Sequence, residues 1–343
     1  MVAITDVARQ AGVAVSTVSY VISGKRPISA PTRRKVLDAM NRLGYRPPSS
    51  ARSRTIGLAV RVDDGAHRPL LAEFMLTASV AARRHACNVL LLTDHEEHGV
   101  LDAALLDGLI LMDIGIVDPR LDVIRALPVP TVLIGLPREP AGLACVDLDF
   151  RAAGALCVDH LADLGHREVV LLGAPEAAYA RHAGFAVRTV AGAAERSAAR
   201  GVRLTHRTVA GDWDSVAGTL ARVLAERPRT TALIVQNEAA TPHLAPLLRG
   251  MGRAVPEDLS VVALGSDVVA TAGTPALTSV AVPAAALTER AVDLLVARLD
   301  GATAPGRRPV LLEPRLSVRA STTAPPAATV WWTTVNATEP RRR

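Results

Sequence analysis

Aliphatic residues along this chain follow two rhythms. From residue 56 onward, short apolar runs alternate with longer stretches of helical period. The runs are Ile56–Val60, Val89–Thr93, Leu109–Met112, Thr131–Ile134, Val169–Leu172, Leu233–Val235 and Val261–Leu264. Amphipathic segments lie between them, near 70–86, 151–164, 180–200, 214–226, 240–252 and 284–300. Such strand–helix alternation predicts parallel sheets with helices on both faces. The runs are too many for one ordinary sheet, so two similar lobes are expected. Lobes of this kind take ligands where the carboxyl ends of their strands face each other, and their closing is the natural switch.

The first 46 residues keep a purely helical rhythm. Val7, Ala8 and Ala11 share one face, Gly12 breaks the pattern, and Val18, Val21 and Ile22 restart it. Two short helices joined by a glycine turn predict a helix-turn-helix. Gly12 supplies the left-handed backbone that the turn demands. In a third helix, Ser29 is the expected cap and Pro31 sits in the first turn. Val36, Leu37, Met40 and Leu43 face inward, and Gly44 ends the helix. The fold class is therefore an all-α helix-turn-helix headpiece followed by an α/β core of two doubly wound parallel-sheet lobes.

Composition supports this picture. Hydrophobic residues make up 49% of the 343 and aromatics only 3%, which suits an aliphatic α/β protein. Cys87, Cys145 and Cys157 are odd in number, widely spaced and without a CxxC pair, so buried thiols are expected rather than disulfides or zinc ligands. No export signal and no membrane-length apolar run is seen, which predicts a cytoplasmic protein. The net charge of +6 is uneven. Residues 1–54 carry ten Lys or Arg against two Asp, and the last six residues add +2, leaving the middle at −4. A basic head on a mildly acidic body is the footprint of a duplex-binding module.

One string sharpens the reading. ITDVARQAGVAVSTVSYVISGKRPISAPTRRKVLDAMNRLGYRP resembles the headpiece of the lactose/galactose-repressor family of bacterial transcriptional regulators almost end to end. The matching pieces include Asp6-Val7-Ala8, Ala11-Gly12-Val13, Ser16-Thr17-Val18-Ser19, Thr32-Arg33 and Leu43-Gly44-Tyr45-Arg46-Pro47. The resemblance implies that the second helix lies in the major groove. Its base-reading positions match Val15, Ser16 and Tyr20, with Val15 suited to a thymine methyl. Thr17 and Ser19 are expected on phosphate, with Thr5, Ser29 and Thr32 also on the DNA side. Lys25, Arg26, Arg33 and Arg34 add sequence-blind attraction. Two departures stand out: Ala3 and Ala14 occupy positions where the family caps the first two helices with Ser or Thr, and each missing cap costs about 1 kcal/mol.

The linker, residues 48–55, matches the family's hinge helix at Ala51-Arg52-Ser53 but lacks the leucine that wedges into the minor groove. Arg52 and Arg54 remain as candidates for a narrow minor groove. The resemblance continues through the core to about residue 321. It implies lobe 1 at about 56–148 and 281–306 and lobe 2 at about 149–280 and 307–321, with the tail 322–343 disordered. Asp149, Arg181, Trp213, Asn237 and Asp267 are the effector-binding positions it implies. For Asp149 a helix cap is the competing role, and for Trp213 core packing. Other pocket positions depart: Arg68-Pro69-Leu70, Leu264-Gly265 and Val282 replace polar or aromatic sugar contacts of the family, which points to a less hydroxylated ligand.

The expected function is a DNA-binding repressor, homodimeric on a pseudo-palindromic operator. A small, sugar-like effector between the lobes modulates it, with no cofactor, metal or membrane partner. An effector-blind core is the alternative. An enzyme is disfavoured, since no GxSxG, phosphate-loop or HExxH motif occurs. His95-Glu96-Glu97-His98 reads as a polar loop rather than a metal site.

Overall fold

The computed structural model describes residues 2–23, 26–45, 54–62, 69–93, 106–127, 129–140, 142–302 and 308–326. The expectations for Lys25, Arg52, the linker 48–53, His95 to His98 and the tail beyond 326 lie outside the described residues.

Three helices build the headpiece: α1 (Ile4–Ala11), α2 (Val15–Ser23) and α3 (Ala30–Leu43). Val7, Val18, Val21, Val36, Leu37 and Met40 close into one small core, with Tyr45 sealing its edge. Gly12 ends α1 at φ 66°, and Gly44 follows α3 at φ 62°; both are left-handed, as the glycine positions demand. Ala3 indeed lends no side-chain cap to α1. The Asp6 carboxylate compensates by accepting the Ala3 N–H at 2.9 Å. At α2 only the Ala14 carbonyl is available, and it accepts from Thr17 and Val18. Ser29 differs from expectation: its hydroxyl donates to Thr32 Oγ1 at 2.9 Å, and its carbonyl accepts the Arg33 N–H.

Two six-stranded sheets form the core, as the alternating pattern predicts. Lobe 1 holds β1 (Arg54–Ala59), β2 (Cys87–Leu92), β3 (Gly108–Leu111), β4 (Thr131–Ile134), β5 (Ala144–Leu148) and β11 (Val310–Leu312), in the order β11-β5-β4-β3-β1-β2 and parallel throughout. Lobe 2 holds β6 (Glu168–Gly173), β7 (Arg203–Thr208), β8 (Ala232–Val235), β9 (Ser260–Gly265), β10 (Thr278–Ala281) and β12 (Leu316–Ser317), in the order β12-β10-β9-β8-β6-β7. The chain crosses between lobes three times, near 149, 282 and 313–315. Because β11 pairs with β5, the third crossing falls after Leu312 and not at 306. Residues 322–326 belong to lobe 2 rather than to a disordered tail: His160 bonds Thr322, and Ser260 bonds the Thr323 backbone.

The helices are α4 (Pro69–Arg84), α5 (Arg120–Ala126), α6 (Phe150–Asp163), α7 (Glu176–Ala180), α8 (Gly184–Arg200), α9 (Trp213–Glu226), α10 (Thr241–Gly250), α11 (Asp267–Ala272) and α12 (Ala284–Leu299). The helix expected near 180–200 is α8, which starts at Gly184, and a short α7 precedes it. His182, at φ 54°, separates the two. Between α6 and α8 the backbones touch. A Cβ on Gly192 would stand 1.9 Å from the Arg151 carbonyl oxygen, and one on Gly154 would stand 2.1 Å from that of Thr189. Cys87, Cys145 and Cys157 are free and buried, as expected, and burial pushes the thiols of Cys145 and Cys157 up to about 12. No helix among the described residues is long and apolar enough to cross a membrane.

Candidate functional site

Two surfaces carry recognition chemistry. The first is α2. Its period places Val18 and Val21 in the headpiece core, which turns Val15, Ser16 and Ser19 outward; Thr17 and Tyr20 lie half-buried at the margins. Val15 is 41% exposed, an apolar side chain held in solvent at the start of the helix. The Arg26 guanidinium stacks over the Tyr20 ring, 5.2 Å from its centroid, and so extends a cation from the same face. Thr5, Ser29 and Arg33 are exposed on the flanking helices, with Arg34 and Lys35, and Thr32 is half-buried. The group is basic, polar and helical, and the N-terminal half of its second helix is free to enter a major groove. Arg54, in contrast, is no groove-reaching arm: it begins β1 and donates to Asp300 Oδ1 at 2.6 Å.

The second surface is a cleft of about 250 Å³ between the lobes, at the carboxyl ends of their strands. Its walls are apolar: Leu70, Leu71, Phe74, Met112, Ile114, Ile134, Phe150, Phe185, Leu264, Val282 and Leu287. Leu70, Leu264, Gly265 and Val282, the positions that depart from the family pattern, all line it.

Polar groups gather in three places around this cavity. At one end, Asp113 receives two arginines on one oxygen: Arg181 Nη2 donates to Oδ2 at 2.7 Å, and Arg61 Nε stands 3.3 Å from it. Asp113 follows β3 at φ 55°, a conformation unusual for a residue with a Cβ and often found at ligand sites. At the back, Asp147 is 5% exposed, and burial pushes its carboxyl up to about 7; the Arg188 guanidinium, 4.0 Å away, opposes that shift. The third place is the 3-10 turn Glu238–Ala240, where Glu238 Oε2 accepts the Leu70 N–H at the amino end of α4.

The lobes join across the cleft mouth. Gly184 N–H donates to Ile114 O at 2.9 Å, and Ile116 N–H donates to His182 O at 2.8 Å, which makes Gly115 and Ala183 a single antiparallel bridge. The Asp113–Arg181 pair also spans the lobes. A ligand seated at that end therefore meets a pair that spans the lobes.

Of the expected effector positions, Arg181 and Asn237 line the cleft. Asn237 is spent on the fold: Nδ2 donates to Val209 O at 2.7 Å and Oδ1 accepts from Ala239 N–H at 3.1 Å. The other three lie elsewhere. Asp149 caps α6, accepting the Ala152 N–H at 2.9 Å. Trp213 is 48% exposed, edge-on to His243. Asp267 forms a two-pronged pair with Arg319, at 2.7 and 2.9 Å, and accepts from Ser279. Sequence reasoning missed Arg61, Asp113, Asp147 and Glu238. Arg61 and Asp113 each stand just past an aliphatic strand, and a charged residue at a strand's carboxyl end is the signal that finds them.

A helix-turn-helix joined to two lobes of parallel sheet, the second with one antiparallel edge strand, and a ligand-sized cleft between them defines a regulator of the periplasmic-binding-protein type. Residues 3–48 match the family described as "Bacterial regulatory proteins, lacI family", and residues 158–322 match the "Periplasmic binding protein-like domain". The HTH-type transcriptional regulator CelR of Thermobifida fusca is 30% identical over 92% of this chain and 96% of its own length. The regulator MalR of Streptomyces coelicolor is 29% identical over 94% and 97%. Among solved structures, the CelR–cellobiose complex covers 94% of this chain and 100% of its own, with TM-score 0.69 and 28% identity. The lac repressor dimer on operator has the same fold, with TM-score 0.68. The chain belongs to the lacI family of bacterial regulatory proteins; it is a DNA-binding transcriptional regulator, in a family of regulators and not of enzymes.

Proposed function

We propose that this protein represses transcription in the cytoplasm. It binds a pseudo-palindromic operator as a homodimer, and a small molecule of sugar-like size entering the cleft adjusts that binding. Val15, Ser16 and Tyr20 read base edges, while Thr5, Thr17, Ser19, Lys25, Arg26, Ser29, Thr32, Arg33 and Arg52 hold phosphate or the minor groove. The observation that carries the reading is the pairing of an outward-facing α2 with a cleft whose mouth is crossed by the Asp113–Arg181 pair. A chain built this way can register a ligand as a change in lobe separation. That CelR is found in complex with cellobiose supports small-molecule control.

Selection of bound duplexes from random DNA by the full chain tests the reading. The expected product is one sequence with two-fold symmetry, contacted on both halves. Enrichment of asymmetric or unrelated sequences overturns it.

A further inference from the structure

The cleft's own chemistry narrows the effector beyond sugar-like size, and this step rests on the regulatory reading above. A polyhydroxylated ring needs a belt of polar side chains with open donors and acceptors. Here most of the belt is closed. Asn237 is bonded at both ends of its amide, and Gln236 donates to Phe185 O and accepts from the Tyr179 hydroxyl. Asp149 and Asp267 are engaged away from the cavity. Glu238 serves the amino end of α4, where a carboxylate is stabilised by the helix dipole. Asp147, at the back, accepts the Leu148 N–H and faces the Arg188 guanidinium at 4.0 Å, and the rest of the wall away from Asp113 is largely aliphatic and phenyl.

The Asp113 end differs. Two guanidiniums share one carboxylate, so N–H donors outnumber acceptors and one positive charge is in excess. Arg181 Nε is buried without a hydrogen bond among the described residues, and so is Asp113 Oδ1. A buried donor and a buried acceptor left open beside a cavity are costly unless a ligand engages them. The guanidinium donors fit a carboxylate, and the Asp113 oxygen fits a hydroxyl next to it.

We propose that the cleft takes a hydroxy acid with an apolar body, its carboxylate received by Arg61 and Arg181 and its neighbouring hydroxyl by Asp113 Oδ1. An aromatic or alicyclic body lies along Phe74, Phe150, Phe185 and Leu287, on walls that give a second ring of hydroxyls few partners. Because the polar end sits on the inter-lobe pair, head-group binding is also what moves the lobes.

The test is titration calorimetry on the full chain with matched probes: mandelate, mandelamide and phenylacetate; salicylate, salicylamide and benzoate; glucose and cellobiose. Operator binding is followed in parallel. The expected order is hydroxy acid first, with the deoxy acid several-fold weaker and the amide at least tenfold weaker. Arg181→Gln and Arg61→Gln each remove at least tenfold of the acid affinity. The acid-against-amide comparison needs no variant and stands even if a variant folds poorly. Silence from all four acids overturns the proposal, as does glucose or cellobiose binding more tightly than any acid. The two readings separate cleanly. Acid binding without change at the operator supports the ligand class and overturns the regulatory role. A sugar that changes operator affinity while the acids do nothing does the reverse.

Discussion

The headpiece and the cleft use similar side chains in opposite ways. On α2, Val15, Ser16 and Ser19 stand exposed, held in place by a core that lies entirely behind them. Around the cleft, the polar side chains are tied to protein partners: Asn237 to Val209, Gln236 to Phe185 and Tyr179, Asp113 to Arg181. A surface that reads a rigid duplex needs side chains left open. A cleft that responds to a ligand needs contacts that the ligand can replace. The difference separates recognition by exposure from recognition by exchange.

If the two regions are physically distinct, each can be broken alone. The largest effects come from backbone crowding and buried charge. Gly192→Val drives a branched side chain into the Arg151 carbonyl and is expected to cost the core more than about 3 kcal/mol, while the headpiece transition stays put. Val18→Asp, at a position with 0% exposure, is expected to unfold the headpiece and abolish DNA binding with the core's melting temperature unchanged. Calorimetric scans that resolve two transitions check both; a shift of both transitions in either variant breaks the comparison.

Asp147→Asn comes next. The carboxyl's folded value of about 7 lies above its ordinary 3.8, so its contribution to stability is complete below the lower value and is lost as pH rises through 7. Removing the charge is expected to raise core stability at pH 8 by roughly 3 kcal/mol and to flatten the pH dependence between 4 and 8. Urea midpoints at pH 5 and pH 8 read this directly. Equal midpoint shifts at the two pH values contradict it.

Asp113→Asn leaves Arg61 and Arg181 without their anion. A loss of about 1–2 kcal/mol from the core is expected, with unliganded headpiece stability unchanged. The smallest effect sharpens the other side. Ala14→Ser restores a capping hydroxyl at the start of α2 and is expected to stabilise the headpiece by about 1 kcal/mol, seen as a higher first transition.

What could be read beforehand follows the same division. A helix facing solvent on one side declares its outward positions through its period, as Val15, Ser16 and Ser19 do, while the base-reading choice of Val15, Ser16 and Tyr20 rests on the family resemblance. Buried parallel strands declare themselves as unbroken aliphatic runs, and Thr131–Ile134 falls where its run stands. The edge strand Arg203–Thr208 is polar and alternates poorly, so nothing local marks it. The break between α7 and α8 rests on a left-handed His182 that no residue type announces. Cleft roles depend on which partner, near or distant in sequence, takes each side chain. Asp267 is drawn away by Arg319, 52 residues later, and Asp149 by the amide three residues on. Family resemblance placed these aspartates near the ligand, but their partners decide what they do.

In the proposed mechanism, lobe separation governs the headpiece. The substitutions Gly115→Cys and Ala183→Cys, at the backbone bridge between the lobes, allow that separation to be fixed by oxidation and freed by reduction in one protein. The direct measurement is operator affinity of the full-length double variant in both states, on the selected symmetric site. At least a tenfold difference between the oxidised and reduced forms is expected. Equal affinity in the two states, with the cross-link confirmed, contradicts it.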